Sequence, residues 1–349
     1  MILRQNVQRS KLFRLVLVGA LVVVVSFGIL SSSGALGAEV QPSLGQSSLY
    51  LTRNEPSPDG AISKPLDLQL GLFQTVITGL SFPGHVLCGP DQRLYVTEFL
   101  GTIETGFHTR ISRFNQDGSG QTLLMERIDW NSSSMVFSAN GDLYFGTYST
   151  PISQGAWRIP NALHSNSQFN PAQHVLPPAA FLPLGGDNTN LDVFPWAFVP
   201  NGPFQGDLLI SAAPSDKSKP GGHVLRAIAP DFTSVKEFIV AHMDADTGKP
   251  FHPASLAINS QGDIFIADDE NSKVLRYGPD GTAKGTFIKV ISPLNIAIDP
   301  DDVIYLTNDV SSGPYTGGGL FIFDPQGKLL APAAIAPMQW RGLTVCPPK

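Results

Sequence analysis

Between residues 256 and 328 one pattern occurs twice, and it constrains the fold more than any other part of the chain. LAINSQGDIFIADDENSKVLRYGPDGT begins at Leu256, and IAIDPDDVIYLTNDVSSGPYTGGGLFIFDPQGK begins at Ile296. Each copy shows apolar alternation, a polar Asp/Gly turn, a second alternation, a loop, and a third strand closed by a further turn. Alternation puts successive side chains on opposite faces of a strand, so each copy predicts an antiparallel meander rather than helices. Ile264 and Ile304 hold the same place, giving a period of 40 residues. A fixed period of that size marks a repeat architecture, and units of four short strands are propeller blades.

The same grammar runs through the rest of the chain. Residues 85–89, 94–97 and 110–114 form one unit around the turn at 90–92. A second starts at Met135 (MVFSANGDLYFGT) and has its third strand at 156–159. The step from Leu143 to Leu208 is 65 residues, and its extra length, residues 160–192, reads as a surface insertion rich in Asn, Pro and Gly. A third unit follows at 196–199, 208–211 and 223–228, and the two opening repeats are the fourth and fifth. Residues 342–347 (GLTVCP) match the first strand of a unit and then the chain stops. Residues 48–52 (SLYLT) offer the missing second strand, and 66–70 (LDLQL) alternate again. One blade shared by both ends closes a ring and hides its edges. The expectation is an all-β, six-bladed propeller of four-stranded antiparallel blades, forming a single domain over residues 48–349.

The first residues carry Arg4, Arg9, Lys11 and Arg14, followed by the apolar run 15–30 and then small residues. That order is a secretory signal, with cleavage after Ala38 or Ala35. Retention as an anchor is the competing reading, because the run falls only a little short of a membrane span. Residues 39–47 read as a disordered leader, and no later segment is apolar enough to span. A secreted, periplasmic or cell-surface location follows. Without the four basic residues, 19 Lys and Arg face 29 Asp and Glu. Such a surface disfavours nucleic acid and leaves protein, carbohydrate or another small-molecule ligand as partners. Cys88 and Cys346 are the two cysteines. In an oxidising compartment they are a disulfide candidate, the alternative being two buried free thiols. They fall on first strands of neighbouring blades, where the spacing can exceed the roughly 7 Å that a disulfide allows.

IAIDPDDVIYLTND, LAINSQGDIFIADDENSKVLRYGPDG and VLCGPDQRLYVTE resemble NHL-type repeats. They also resemble the wider six-bladed group that holds regucalcin/gluconolactonase-like lactonases and strictosidine-synthase-like proteins. The likeness covers most of residues 80–349, and FVPNGPFQGDLLIS is similar to soluble quinoprotein sugar dehydrogenases. These motifs are structural and recur in unrelated activities. The resemblance therefore implies the fold and leaves two functions open. One is an exported module binding a protein or glycan through its loop face. The other is an enzyme on the same face, a lactonase/strictosidine-synthase-like hydrolase or a quinoprotein sugar dehydrogenase-like protein.

In such blades the start of strand one, the end of strand two and the segments joining blades share a face, and loops on a rigid frame carry function. Register places Arg53, Glu98, Thr147, Ala212, Asp268 and Asn308 at the strand-two ends, with Asp269 and Asp309 following. The functional reading is a cation or polyol site. The structural reading has each acid accepting backbone N–H groups of the following turn. Regucalcin-like lactonases hold a divalent metal with carboxylates and amides just before strand one. The corresponding positions here, Gly84, Ser133, Phe194, Ala254, Leu294 and Arg341, include no carboxylate, so that site is not carried over. Arg341 and Asn295, one residue past the ring, remain ligand-binding candidates. A divalent cation such as calcium is the cofactor to consider, because Asp244 and Asp246 resemble a fragment of a calcium loop. The ligands that would complete the loop are missing, and a solvated turn is the simpler reading. There is no GxSxG, Walker or HExxH sequence.

Overall fold

Two compact units divide the chain, Met1–Gln41 and Pro42–Lys349. The computed structural model describes residues 47–54, 59–67, 72–100, 108–128, 131–148, 155–165, 173–176, 191–214, 224–229, 231, 235–239, 244, 246–249, 251–308, 318–336 and 340–348. The expected signal, the expected leader up to residue 46, Asp309 and His242 lie outside them.

Strands β1 (Ser48–Arg53), β2 (Gly60–Asp67) and β3 (Leu72–Leu80) begin the fold. Blade one is β4 (Pro83–Cys88), β5 (Leu94–Leu100), β6 (His108–Phe114) and β7 (Thr122–Ile128). Blade two is β8 (Asn131–Phe137), β9 (Leu143–Tyr148), β10 (Gly155–Ile159) and β11 (Gln173–Leu176). Blade three is β12 (Leu191–Phe198), β13 (Leu208–Pro214), β14 (Val224–Ile228) and β15 (Val235–Ile239). Blade four is β16 (Pro253–Ile258), β17 (Ile264–Asp268), β18 (Lys273–Tyr277) and β19 (Ala283–Lys289). Blade five is β20 (Pro293–Ile298), β21 (Ile304–Asn308), β22 (Gly318–Phe323) and β23 (Leu329–Ala336). The sixth sheet has the order β24–β1–β2–β3, with β24 (Trp340–Cys346) pairing antiparallel to β1. The expected closure of a six-bladed ring by both chain ends is the observed one.

Alternation has a direct physical cause here. Leu94 and Val96 of β5 pack with Tyr50, Ile62 and Ile77 of the closing blade. Tyr95, between them, packs with Met135, Leu143 and Phe145 of blade two. One strand thus fills two inter-blade cores, and each fully buried apolar side chain contributes about 1.5–3 kcal/mol. Five of the six inner strands pair with a register shift near their start, as between Pro83 and Val86, Pro253 and Ser255, or Pro293 and Asn295. Such bulges bend a strand. Proline is tolerated at these positions because the inner strand is a sheet edge and needs no ladder partner on its open side.

Neighbouring inner strands come very close. Thr52 Oγ1 donates to Gly84 O at 3.0 Å, Asn295 Nδ2 to Trp340 O at 3.3 Å, and Cys88 N to Thr344 Oγ1 at 3.1 Å. A Cβ at Gly342 would stand 2.6 Å from Gly84 O. Cys88 and Cys346 form a disulfide across this contact with their Cα atoms 5.3 Å apart. Of the two alternatives read from the sequence, the disulfide is the one observed, because these two inner strands lie within bridging distance.

Three further expectations change. Residues 160–192 are not simply an insertion, since β11 within them pairs with β10 as the outer strand of blade two. The alternation expected at 66–70 starts earlier, at Gly60, and ends at Asp67. In blade three the bulge falls between Pro195 and Ala197, so Phe194 pairs with Ser211 and is out of step with the other mouth positions.

Candidate functional site

The loop-face ring is in register as expected. Arg53 pairs with Trp340, Glu98 with Pro83, Thr147 with Ser132, Ala212 with Val193, Asp268 with Pro253 and Asn308 with Pro293. Its side chains mostly hold backbone. Asp268, buried, accepts from His252 N and Asn271 N at 3.3 Å each, and from Asn271 Nδ2 at 3.0 and 2.9 Å. Burial raises its carboxyl above the ordinary value, with Asn271 working in the opposite direction. Asn308 Nδ2 donates to Ile291 O at 3.2 Å, and its Oδ1 accepts from Gly319 N at 2.7 Å. Arg53 donates to Asp59 O from both Nε and Nη2. These contacts tie a strand-two end to the loop that follows it, to the neighbouring third strand, or to the segment entering the same blade.

Glu98 differs in one respect. Its Oε1 accepts from Ser81 N at 3.1 Å, while Oε2 is buried without a hydrogen-bond partner. Burial raises its carboxyl above the ordinary glutamate value. In blade five, Asn295 is buried and donates to Thr307 Oγ1 at 3.0 Å as well as to Trp340 O. Arg341 is exposed in the bulge of β24. The structure thus brings Asn295 into the frame and leaves Arg341 at the surface.

Asp244 sits in a built turn. It accepts from Asp246 N at 3.1 Å and from Thr247 N and Oγ1 at 3.0 and 3.1 Å, and it pairs with Lys273. The Lys273 ammonium holds its carboxyl down to about 2. Asp246 is exposed. No group of three His, Cys, Asp or Glu that could hold a metal is found among the described residues. His252 pairs with Asp269 beside this turn.

Two features went unread in the sequence. His85, in the bulge of β4, donates its N–H to Thr97 Oγ1 at 2.8 Å. Its ring lies 6.5 Å between centroids from Trp196 of blade three, and burial lowers its pKa to about 4, so the imidazole is neutral at neutral pH. The second is a cavity of about 490 Å³ on the opposite, turn-bearing face. Inner-strand ends from four blades form its wall (Phe198, Ile258, Ile298 and Val345), and Asp299 and Asp302 of the β20–β21 turn line it as well. The signal available was a repeated apolar residue at the last position of strand one, directly before the polar turn.

No family model matches the sequence, and no curated protein matches it. Solved structures do share its form. A chain of a Nidogen/Laminin complex superimposes with a TM-score of 0.59 at 11% identity, covering 86% of this chain and 98% of that one. A structure carrying a provisional gluconolactonase name gives 0.51 at 14% identity, covering 76% and 81%. Regucalcin from Agrobacterium tumefaciens gives 0.49 at 10%, covering 80% and 76%. At these identities the likeness establishes a six-bladed propeller, a fold that serves binding modules and lactonase-like enzymes alike.

Proposed function

We propose that this chain is an exported binding module that holds a protein or glycan on its loop face. The observation that carries the reading is the employment of the strand-two ends. Asp268, Asn308 and Glu98 each hold a segment that enters their own blade, so the ring is a rigid frame on this side. The strand-two ends and strand-one starts share this side, and surface borne on a rigid frame carries function. The mouth positions Gly84, Ala254, Leu294 and Arg341 bring no carboxylate to a divalent ion. A chain of the Nidogen/Laminin complex, with a protein partner, has the same architecture.

Export is supported by the Cys88–Cys346 bond, which suits an oxidising compartment, and by the signal-like first residues. No helix among the described residues is long and apolar enough to cross a membrane. The test replaces 177–190 and 215–223 with Gly/Ser linkers of equal length. Wild-type protein should retain ligands from a glycan array or an extracellular protein mixture, and the variant should lose them at unchanged Tm. Retention that survives the replacement would sink the loop-face reading.

A catalytic reading has one observation in its favour, the unpartnered Oε2 of buried Glu98 with its raised carboxyl. A carboxyl whose ionisation is disfavoured by burial suits a general acid. On that reading a lactone panel, or sugars with a quinone acceptor, should show turnover that Glu98→Gln abolishes. No turnover across both panels counts against it.

A further inference from the structure

The turn face carries an electrostatic asymmetry. In four blades a carboxylate at the hairpin turn meets a cation. Asp91 pairs with Arg93 at 3.9 Å, Asp142 with Arg158 at 3.7 Å, and Asp207 with Lys236 at 3.5 Å. Asp263 pairs with Arg276 at 2.5 Å and Lys284 at 2.6 Å. The β20–β21 turn instead holds Asp299, Asp301 and Asp302, and no basic side chain among the described residues pairs with any of them.

Asp299 and Asp302 line the 490 Å³ cavity, which is within the range of small-molecule sites, and Asp301 is exposed between them in the same turn. Asp299 Oδ1 accepts from Asp301 N and Val303 N at 2.9 Å, and its Oδ2 accepts from Tyr305 Oη at 3.1 Å. Asp302 accepts from Ser260 N at 2.8 Å and Ser260 Oγ at 2.7 Å. Hydrogen bonds of this kind fix the charges in place without cancelling them. They also occupy the oxygens, so no set converges on a small ion as calcium or magnesium would require. Beside them the wall is apolar and half-buried, from Phe198, Ile258, Ile298 and Val345. A negative rim on an apolar wall is complementary to a molecule with positive charge at one end and an apolar body at the other.

We propose that this cavity binds an organic ammonium ion carried on a small apolar body. The site lies on the face opposite the loops, so it stands or falls separately from the loop-face reading.

The probes are 2-phenylethylammonium, its neutral analogue 2-phenylethanol and the anion phenylacetate. Each is titrated calorimetrically into the full chain with its disulfide intact. The ammonium should bind and raise Tm progressively with concentration. The alcohol should bind about tenfold more weakly, and the anion not at all. Asp301→Asn combined with Asp302→Asn should weaken the ammonium about tenfold while leaving the ligand-free Tm unchanged. Ala197→Phe, which fills the cavity, should abolish binding. If that variant misfolds, the double Asn variant decides alone. Absence of binding at millimolar ammonium, equal affinity for the alcohol, or full affinity in the double Asn variant would each overturn the proposal.

Discussion

On the loop face, Asp268 and Glu98 take N–H groups from segments that enter their blades, and burial raises both carboxyls. On the turn face, Asp299 and Asp302 also accept hydrogen bonds, yet they edge an open cavity with no cation paired to them among the described residues. The same residue type therefore does two jobs in one ring. Where strand ends meet crossing segments, a carboxylate acts as mortar. Where inner strands end around the channel, its charge remains available to something outside the protein. The blade-four turn shows the alternative, since Asp263 is neutralised by Arg276 and Lys284.

The comparison can be broken most severely at the closure that both faces depend on. Replacing Cys88 and Cys346 by Ser together should cost about 5 kcal/mol in the chain-entropy account, read as a fall in denaturant midpoint at unchanged slope. A loss below 1 kcal/mol would mean that the inter-blade contacts close the ring unaided. Next comes Asp268→Ala, which strips partners from His252 N, Asn271 N and Asn271 Nδ2. A loss of about 2–3 kcal/mol is expected by thermal unfolding, and no loss would remove the mortar role.

Lys273→Met should cost about 1–2 kcal/mol after allowance for solvent screening, because it leaves Asp244 without its cation. The sign with pH is definite. The folded pKa of Asp244, about 2, is below the ordinary aspartate value. Its contribution is thus full above the unfolded value and is lost as pH falls through the folded one. The variant should show a weaker acid-side decline in Tm across that window.

Glu98→Gln runs the other way. A raised folded pKa means that ionisation destabilises the fold, so stability declines as pH rises from the ordinary glutamate value to the raised one. The variant should lose that decline and gain up to about 1 kcal/mol at neutral pH. A destabilised variant would show that the charge itself is used. The smallest effect belongs to the turn face, where Asp302→Asn should change stability by under about 0.5 kcal/mol, as surface substitutions usually do.

The six-fold frame was legible because second strands are buried throughout and inner strands mix buried and half-buried positions around a fixed polar turn. Leu94 to Thr97, Ile264 to Ala267 and Ile304 to Thr307 are buried throughout. Outer strands were not legible for the converse reason. Along β3 only Ile77 and Leu80 are buried, and β11 is four residues long, so neither carries a period that a reader of the chain can follow. The positions of Glu98, Asp268 and Asn308 were read correctly in register, as was the bond to Asp268 from Asn271 N in the following turn, but the bonds to Ser81, His252 and Ile291 were not, since those partners belong to crossing segments without pattern.

By itself the sequence determined the blade count, the sharing of one blade by both chain ends, and the acid-bearing strand ends, because local periodicity and turn chemistry record those properties. Only the tertiary structure decided the closeness of Cys88 to Cys346, the meeting of His85 with Trp196, and the cavity walled by four blades. Each of these joins residues far apart in the chain whose separation depends on how sharply bulged inner strands converge on the axis, and a repeat period carries no record of that angle.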